Sequence, residues 1–211
     1  MSAAALRLPL AAEAIPGVWR GARPQALKPT EPTGSQPLDA ALLGGWPKGA
    51  LTQIVSRHEG FGFSLILPLL ARLTSTGQHT ALVHTPFLPC APALDARGVN
   101  LARLLWVQPE SAAQALWAVE QLLRSGLMTA IAFWNPQPLD GNTERRLQLA
   151  AETSRCAVFA FRSGAVEAQS YAALKLAVAP AADARIAVEV LKCQGGGRSG
   201  QRLNLQAAFS A

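Results

Sequence analysis

The chain has 211 residues and a mass of 22.2 kDa, with 50% hydrophobic and 15% charged residues. That balance excludes a disordered chain and suits one well-cored domain with a few dozen residues left for arms. The formal charge of +6 points to an anionic partner, either nucleic acid or an acidic protein face.

Cys90, Cys156 and Cys193 are too few and too far apart for a disulfide framework or a zinc knuckle. A reduced, cytoplasmic setting is expected. Met1–Leu10 has one Arg and no sustained apolar core, so it does not read as a signal peptide. Every apolar run stops short of the ~18–20 residues of a membrane span, and no membrane association is expected.

Residues 1–37 are rich in Ala, Pro and Gly and read as an extended arm with one apolar handle, Val18-Trp19. Leu38–Leu43 reads as a short helix that Gly44-Gly45 ends. Ala50–Val55 reads as a strand, and after a glycine-bearing loop Phe63–Leu73 reads as a helix despite Pro68. Thr80–Thr85 is a second strand, Ala91–Arg97 a short helix and Leu104–Val107 a third strand. Ser111–Ser125 is amphipathic, with Ala115, Leu116, Val119, Leu122 and Leu123 on one side. Met128–Trp134 is almost wholly apolar, as in the middle of a parallel sheet. Asn142–Thr153 reads as a helix with a charged face of Glu144, Arg145, Arg146 and Glu152, and Cys156–Phe161 as a fifth strand. Ala173–Ala179 and Ile186–Lys192 read as an antiparallel pair at the sheet edge. From Gly195 onward the chain reads as a flexible basic tail.

The alternation predicts an α/β domain over residues 38–194, with a mainly parallel central sheet, an antiparallel strand pair at its C-terminal edge, an N-terminal arm and a tail at 195–211. In such a domain the loop after the first strand is the usual phosphate site. Here it runs Ser56-Arg57-His58-Glu59-Gly60-Phe61-Gly62-Phe63-Ser64. A Walker loop needs a Lys to neutralise the phosphates and a following hydroxyl for magnesium. Ser56, Glu59, Gly60, Phe61, Gly62, Phe63 and Ser64 supply two glycines and no Lys, and Glu59 would repel phosphate. The fourth strand should end in a metal-binding Asp, but the residues there are Trp134 and Asn135. The expectation is a degenerate phosphate loop: no enzyme, no cofactor and no catalytic residue.

The order of motifs resembles the RecA recombinase core. The resemblance rests on Thr33–Asp39 followed by Gly44–Gly49, on Leu94–Leu104, on Gln108-Pro109-Glu110, on Ala173–Leu176 and on Val188–Lys192. Within that group Leu104–Val107, Ala115–Gln121, Glu144–Glu152 and Val18-Trp19-Arg20 are similar to the ImuA family, RecA-like and SulA-related. The resemblance implies a damage-induced accessory protein of error-prone translesion DNA synthesis. It would bind ImuB, a catalytically inactive Y-family polymerase homologue. It would work with a second, error-prone polymerase of replicative type, with the RecA filament and DNA as further contacts. The same core also fits a SulA-like inhibitor of the tubulin-like division protein.

Candidate partner or DNA contacts follow from charge and exposed aromatics. Trp19 with Arg20 in the arm and Trp46 in a loop read as anchors. Self-association through the arm is a further expectation. Trp106, Trp117 and Trp134 lie on core elements and read as packing or interface residues. Arg185, Lys192, Arg198 and Arg202, opposed only by Glu189 over residues 185–211, read as a DNA- or protein-binding tail. His58, His79, His84 and Cys90 match no zinc spacing, so no metal is expected. Ser64 and Ser199 lack the setting of a nucleophile. The expected location is the cytoplasm, at the nucleoid.

Overall fold

The computed structural model describes residues 29–164, 170–195 and 199–206. The Trp19-Arg20 handle and Arg198 lie outside the described residues. The chain opens with a two-stranded antiparallel ribbon, β1 (Thr30–Glu31) with β2 (Trp46–Pro47), enclosing α1 (Gln36–Ala41). The fold therefore begins before residue 38, within the stretch read as an arm. Gly45 makes the ribbon possible: its φ is +125°, and a Cβ there would lie 2.1 Å from the Glu31 carbonyl oxygen.

The main sheet contains β3 (Ala50–Ser56), β4 (His79–Val83), β5 (Leu104–Val107), β6 (Met128–Trp134), β7 (Ala157–Ser163), β8 (Leu174–Pro180), β9 (Arg185–Cys193) and β10 (Arg202–Gln206). Their order is β10-β9-β8-β3-β7-β6-β4-β5. The run β8-β3-β7-β6-β4-β5 is parallel throughout, and β9 and β10 add antiparallel to it. The β8–β9 pair is antiparallel as expected, but it is not the edge. Arg202–Gln206 forms β10 there, in a region read as loose tail. The Leu203 and Leu205 alternation pays for that strand by packing onto the same core as Val188 and Ile186.

The interior strands are buried on both faces, which explains their continuous apolar runs. Along β6 and β7, Ala130, Ala132, Trp134, Phe159 and Phe161 face one core, shared with α1 and α2 (Leu67–Ser75). Ile131, Phe133, Val158 and Ala160 face the other, covered by α4 (Ala112–Ser125) and α5 (Gly141–Ser154). Hydroxyl and carboxylate caps start these two helices. Ser111 accepts from Gln114 N at 3.3 Å, and Asp140 accepts from Thr143 N at 3.0 Å. The Thr143 hydroxyl and amide hold the Asp140 carboxyl below its ordinary range.

The helix predicted over Phe63–Leu73 forms in two pieces. A 3-10 turn at Phe63–Leu65 leads into α2, where Pro68 lies in the first turn and so sacrifices no helix hydrogen bond. Burial revises the reading of Trp46 and Glu144 and narrows that of Trp106 and Trp117. Trp46 has no exposed surface and packs edge-on against Phe159 at 5.2 Å, so it is a core residue and no partner anchor. Trp106 and Trp117 stand out of the core, and Trp117 is 64% exposed. Glu144, placed on the charged face of α5, is buried.

Glu31 ties the ribbon to the core through ion pairs with Lys48 and, at 2.8 Å, with Arg72 of α2. Burial pushes its pKa up, but the Lys48 and Arg72 hydrogen bonds and charges outweigh that and leave it lowered. A carboxylate with a depressed folded pKa stabilises above its unfolded value, and the contribution disappears as pH falls through the folded one. Glu31→Gln should therefore unfold at a lower temperature than wild type at neutral pH, and the two melting temperatures should converge on acidification below the ordinary carboxylate range.

Candidate functional site

The carboxyl ends of the parallel strands are where this class of sheet binds its ligands. The β3 strand ends at Ser56, whose hydroxyl accepts from His58 N at 3.1 Å and starts the loop. Arg57, His58 and Glu59 are exposed. Gly60 and Gly62 have φ of +72° and +93°, and Gly62 turns the chain into the 3-10 segment. A Cβ on Gly62 would meet Val178 at 2.9 Å and Ile54 at 3.1 Å. Gly62→Ala should thus cost roughly 1–3 kcal/mol through strain and overpacking, read as a lower midpoint in urea unfolding.

The space beside this loop holds aromatic rings. Phe63 packs on Trp134 at 5.6 Å and on Phe161 at 6.4 Å, and Trp134 stacks on Phe161 at 4.7 Å with their planes 12° apart. Ser64 is buried in the 3-10 turn. Asn135 donates through Nδ2 to the Gln137 carbonyl at 2.7 Å, and its backbone N donates to the Phe161 carbonyl. His84, at a φ of +54°, places Nδ1 3.0 Å from the Trp134 carbonyl oxygen.

The structure brings the loop residues Glu59, Gly60 and Phe61 together with Trp134 and Asn135 around one cleft of about 230 Å³. His58, His84, Gln108, Arg162 and Ser163 are among its other lining residues. A triphosphate would need several N–H donors, a cation and a magnesium ligand here. The strand end offers an indole, an amide and a phenyl ring, and Arg162 is the cation in the lining. Among the described residues, no three His, Cys, Asp or Glu side chains converge as a metal site.

The described C-terminal cations differ in their surroundings. Arg185 is exposed at the start of β9. Lys192 is half-buried and donates to the Ser170 carbonyl at 2.5 Å, so it serves the fold. Arg202 pairs with Glu189 at 3.2 Å while remaining exposed. The contact role assigned to Trp46 is overturned by its burial. Burial also keeps Cys156 a neutral thiol by pushing its pKa up, whereas Cys90 is exposed.

Two features were missed from sequence. Phe87 and Leu88 project from the loop after β4, and the Phe87 ring lies over Gly60. The only signal was an apolar pair set between Pro86 and Pro89. The second is a buried network in which Glu144 accepts from Gln53 Nε2, from the Ser170 hydroxyl at 2.9 Å and from Tyr171 N at 2.7 Å.

Residues 21–136, more than half of the chain, match the RecA N-terminal domain. The chain belongs to the RecA N-terminal domain family. It is 37% identical over 100 residues to Protein RecA of Chlorobium chlorochromatii, covering 47% of this chain and 28% of that protein. Protein RecA of Deinococcus radiodurans is 37% identical over 105 residues, covering 47% and 28%. The mitochondrial DNA repair protein recA homolog of Dictyostelium discoideum is 37% identical over 102 residues, covering 47% and 22%. The chain thus spans less than a third of the length of these relatives. The matched residues run from the opening ribbon through β6 and include the 56–64 loop, Trp134 and Asn135 of the cleft. No helix among the described residues is long and apolar enough to cross a membrane.

Proposed function

We propose that this RecA-like chain is a non-catalytic adaptor of the response to DNA damage, acting in error-prone translesion synthesis in the manner of ImuA. DNA repair is the activity named for its relative in Dictyostelium discoideum. The observation that carries the adaptor reading is the aromatic filling of the strand ends. Phe63, Trp134 and Phe161 stack beside a loop that has no lysine. Each missing phosphate-binding group costs an ATPase orders of magnitude in rate. A surface freed from nucleotide chemistry is available for binding a protein.

In this reading ImuB is the direct partner, and the error-prone replicative-type polymerase is reached through it. The RecA filament and DNA are further contacts, with Trp19, Arg20, Arg185, Arg198 and Arg202 as the candidate residues. The site of action is the nucleoid, in the cytoplasm. Size-exclusion chromatography with light scattering, with and without ImuB, tests the reading. A stable co-eluting complex is expected, with phosphate release from ATP at the protein-free background. Two folded proteins that elute apart would remove ImuB as partner. ATP hydrolysis abolished by a change in the 56–64 loop would overturn the non-catalytic part. Filamentation on overexpression without DNA damage would move the chain to the SulA-like class.

A further inference from the structure

Next to the polar cleft lies a second recess of about 480 Å³, within the range of small-ligand and side-chain pockets. Its walls are Phe63, Leu67, Leu82, Leu94 and Trp134. Phe87 and Leu88 form its lip, 66% and 76% exposed. Pro86 and Pro89 flank the lip and restrict its backbone, so little further ordering is needed when a partner binds. Gly60, Thr85, Pro86 and Trp134 line both recesses, which therefore form one groove with an apolar end and a polar end.

We propose that this groove docks an extended peptide segment of a partner protein, one bulky apolar residue filling the apolar end and acidic residues flanking it. The proposal rests on the adaptor reading and names the surface it uses. Three observations select this occupant. The apolar end leaves exposed hydrocarbon that only an apolar side chain would cover well. Trp134 lines both recesses and Asn135 the polar one, and their buried Nε1 and Oδ1 have no hydrogen-bond partner, leaving one donor and one acceptor. A peptide unit supplies the matching carbonyl and N–H, whereas a phosphate has only acceptors and hydrocarbon has neither. Charge gives the flanks. The charged groups of the lining are Arg97 at one end, Arg162 at the other and Glu59, on a chain of +6, which favours acidic residues beside the anchor. A second copy fits less well, because it would bring two charges of +6 together.

The test is selection of short random phage-displayed peptides on the full chain, followed by affinity measurement on two variants. Ala93→Trp fills the groove from an exposed position on α3 (Ala91–Asp95), and Leu88→Ser removes the lip from an exposed loop. Selected peptides are expected to carry a bulky apolar residue beside acids and to bind more weakly in high salt. They should lose about tenfold or more in affinity with Ala93→Trp and several-fold with Leu88→Ser, at unchanged melting temperatures. Absence of enriched peptides, or equal binding to both variants, overturns the proposal. So does a wild-type dimer that Ala93→Trp dissolves, which would give the groove to a second copy. Co-elution with ImuB without any selected peptide would sink the groove and leave the adaptor reading standing. Groove-specific peptides without co-elution would do the reverse.

Discussion

Trp46→Ala should lower stability by about 3–5 kcal/mol, the cost of removing a large aromatic from a packed core. For a domain of this size that corresponds to a fall of roughly 10 °C in melting temperature. The indole has no exposed surface, meets Phe159 edge-on at 5.2 Å and joins the cluster that includes Leu38, Leu70 and Leu73. It also sits in β2, so its loss would loosen the ribbon as well as the core. Trp46→Phe should cost far less, on the order of 1 kcal/mol. The indole Nε1 is buried without a partner, and a phenyl ring removes that unsatisfied donor while keeping most of the volume. The two variants discriminate between the roles considered for this residue. A partner anchor would lose binding and keep its melting temperature; a core residue loses the melting temperature first. A Trp46→Ala protein that melts within 2 °C of wild type would contradict the packing described.

The parallel part of the sheet was legible because its interior strands are buried on both faces. Met128–Trp134 is apolar at every position but Thr129, and the sequence range and the strand coincide. The helix at 112–125 was legible through its apolar spacing. The Trp46 error arose because a residue between Gly45 and Pro47 looks like a loop, and nothing local reveals that the loop pairs with Thr30–Glu31 and folds inward. Trp106 and Trp117 are the converse: read as packing or interface residues, they are exposed, which removes the core half of that reading. Trp106 sits on β5, the last strand of the sheet, where both Leu105 and Trp106 stay exposed, and strand order is a non-local property. Strand β10 was missed because five residues, Arg202–Gln206, carry too weak an alternation without the partner strand β9 that fixes them. At the candidate site, the missing lysine was visible directly. The stacking of Phe63, Trp134 and Phe161 was not, since it joins three separate segments.

Glu144→Ala should be as damaging as the loss of Trp46, about 3–5 kcal/mol, because it strands three hydrogen-bond donors. Glu-Arg-Arg at 144–146 looks like a solvated helix face, and Arg145 and Arg146 are indeed exposed. Glu144 instead lies on the stripe of α5 that turns toward the sheet, beside Thr143, Leu147, Gln148 and Ala151. One oxygen accepts from Gln53 in the middle of β3, and the other accepts from the Ser170 hydroxyl and the Tyr171 amide. Lys192 of β9 donates to the Ser170 carbonyl, so one carboxylate ties α5, β3 and the lead-in to β8 to β9. Alanine leaves three donors facing a cavity, two of them on buried or half-buried residues that water reaches poorly. Glu144→Gln keeps the volume but turns an N–H₂ toward groups that donate, so it should lie between alanine and wild type. The readout that separates this network from general packing is local. Exchange of the Tyr171 amide hydrogen should accelerate more than that of the Val158 amide in the centre of the sheet. Uniform acceleration at both sites, or a stability loss below about 1 kcal/mol, would show that the segment at 170–171 is held by something other than this carboxylate.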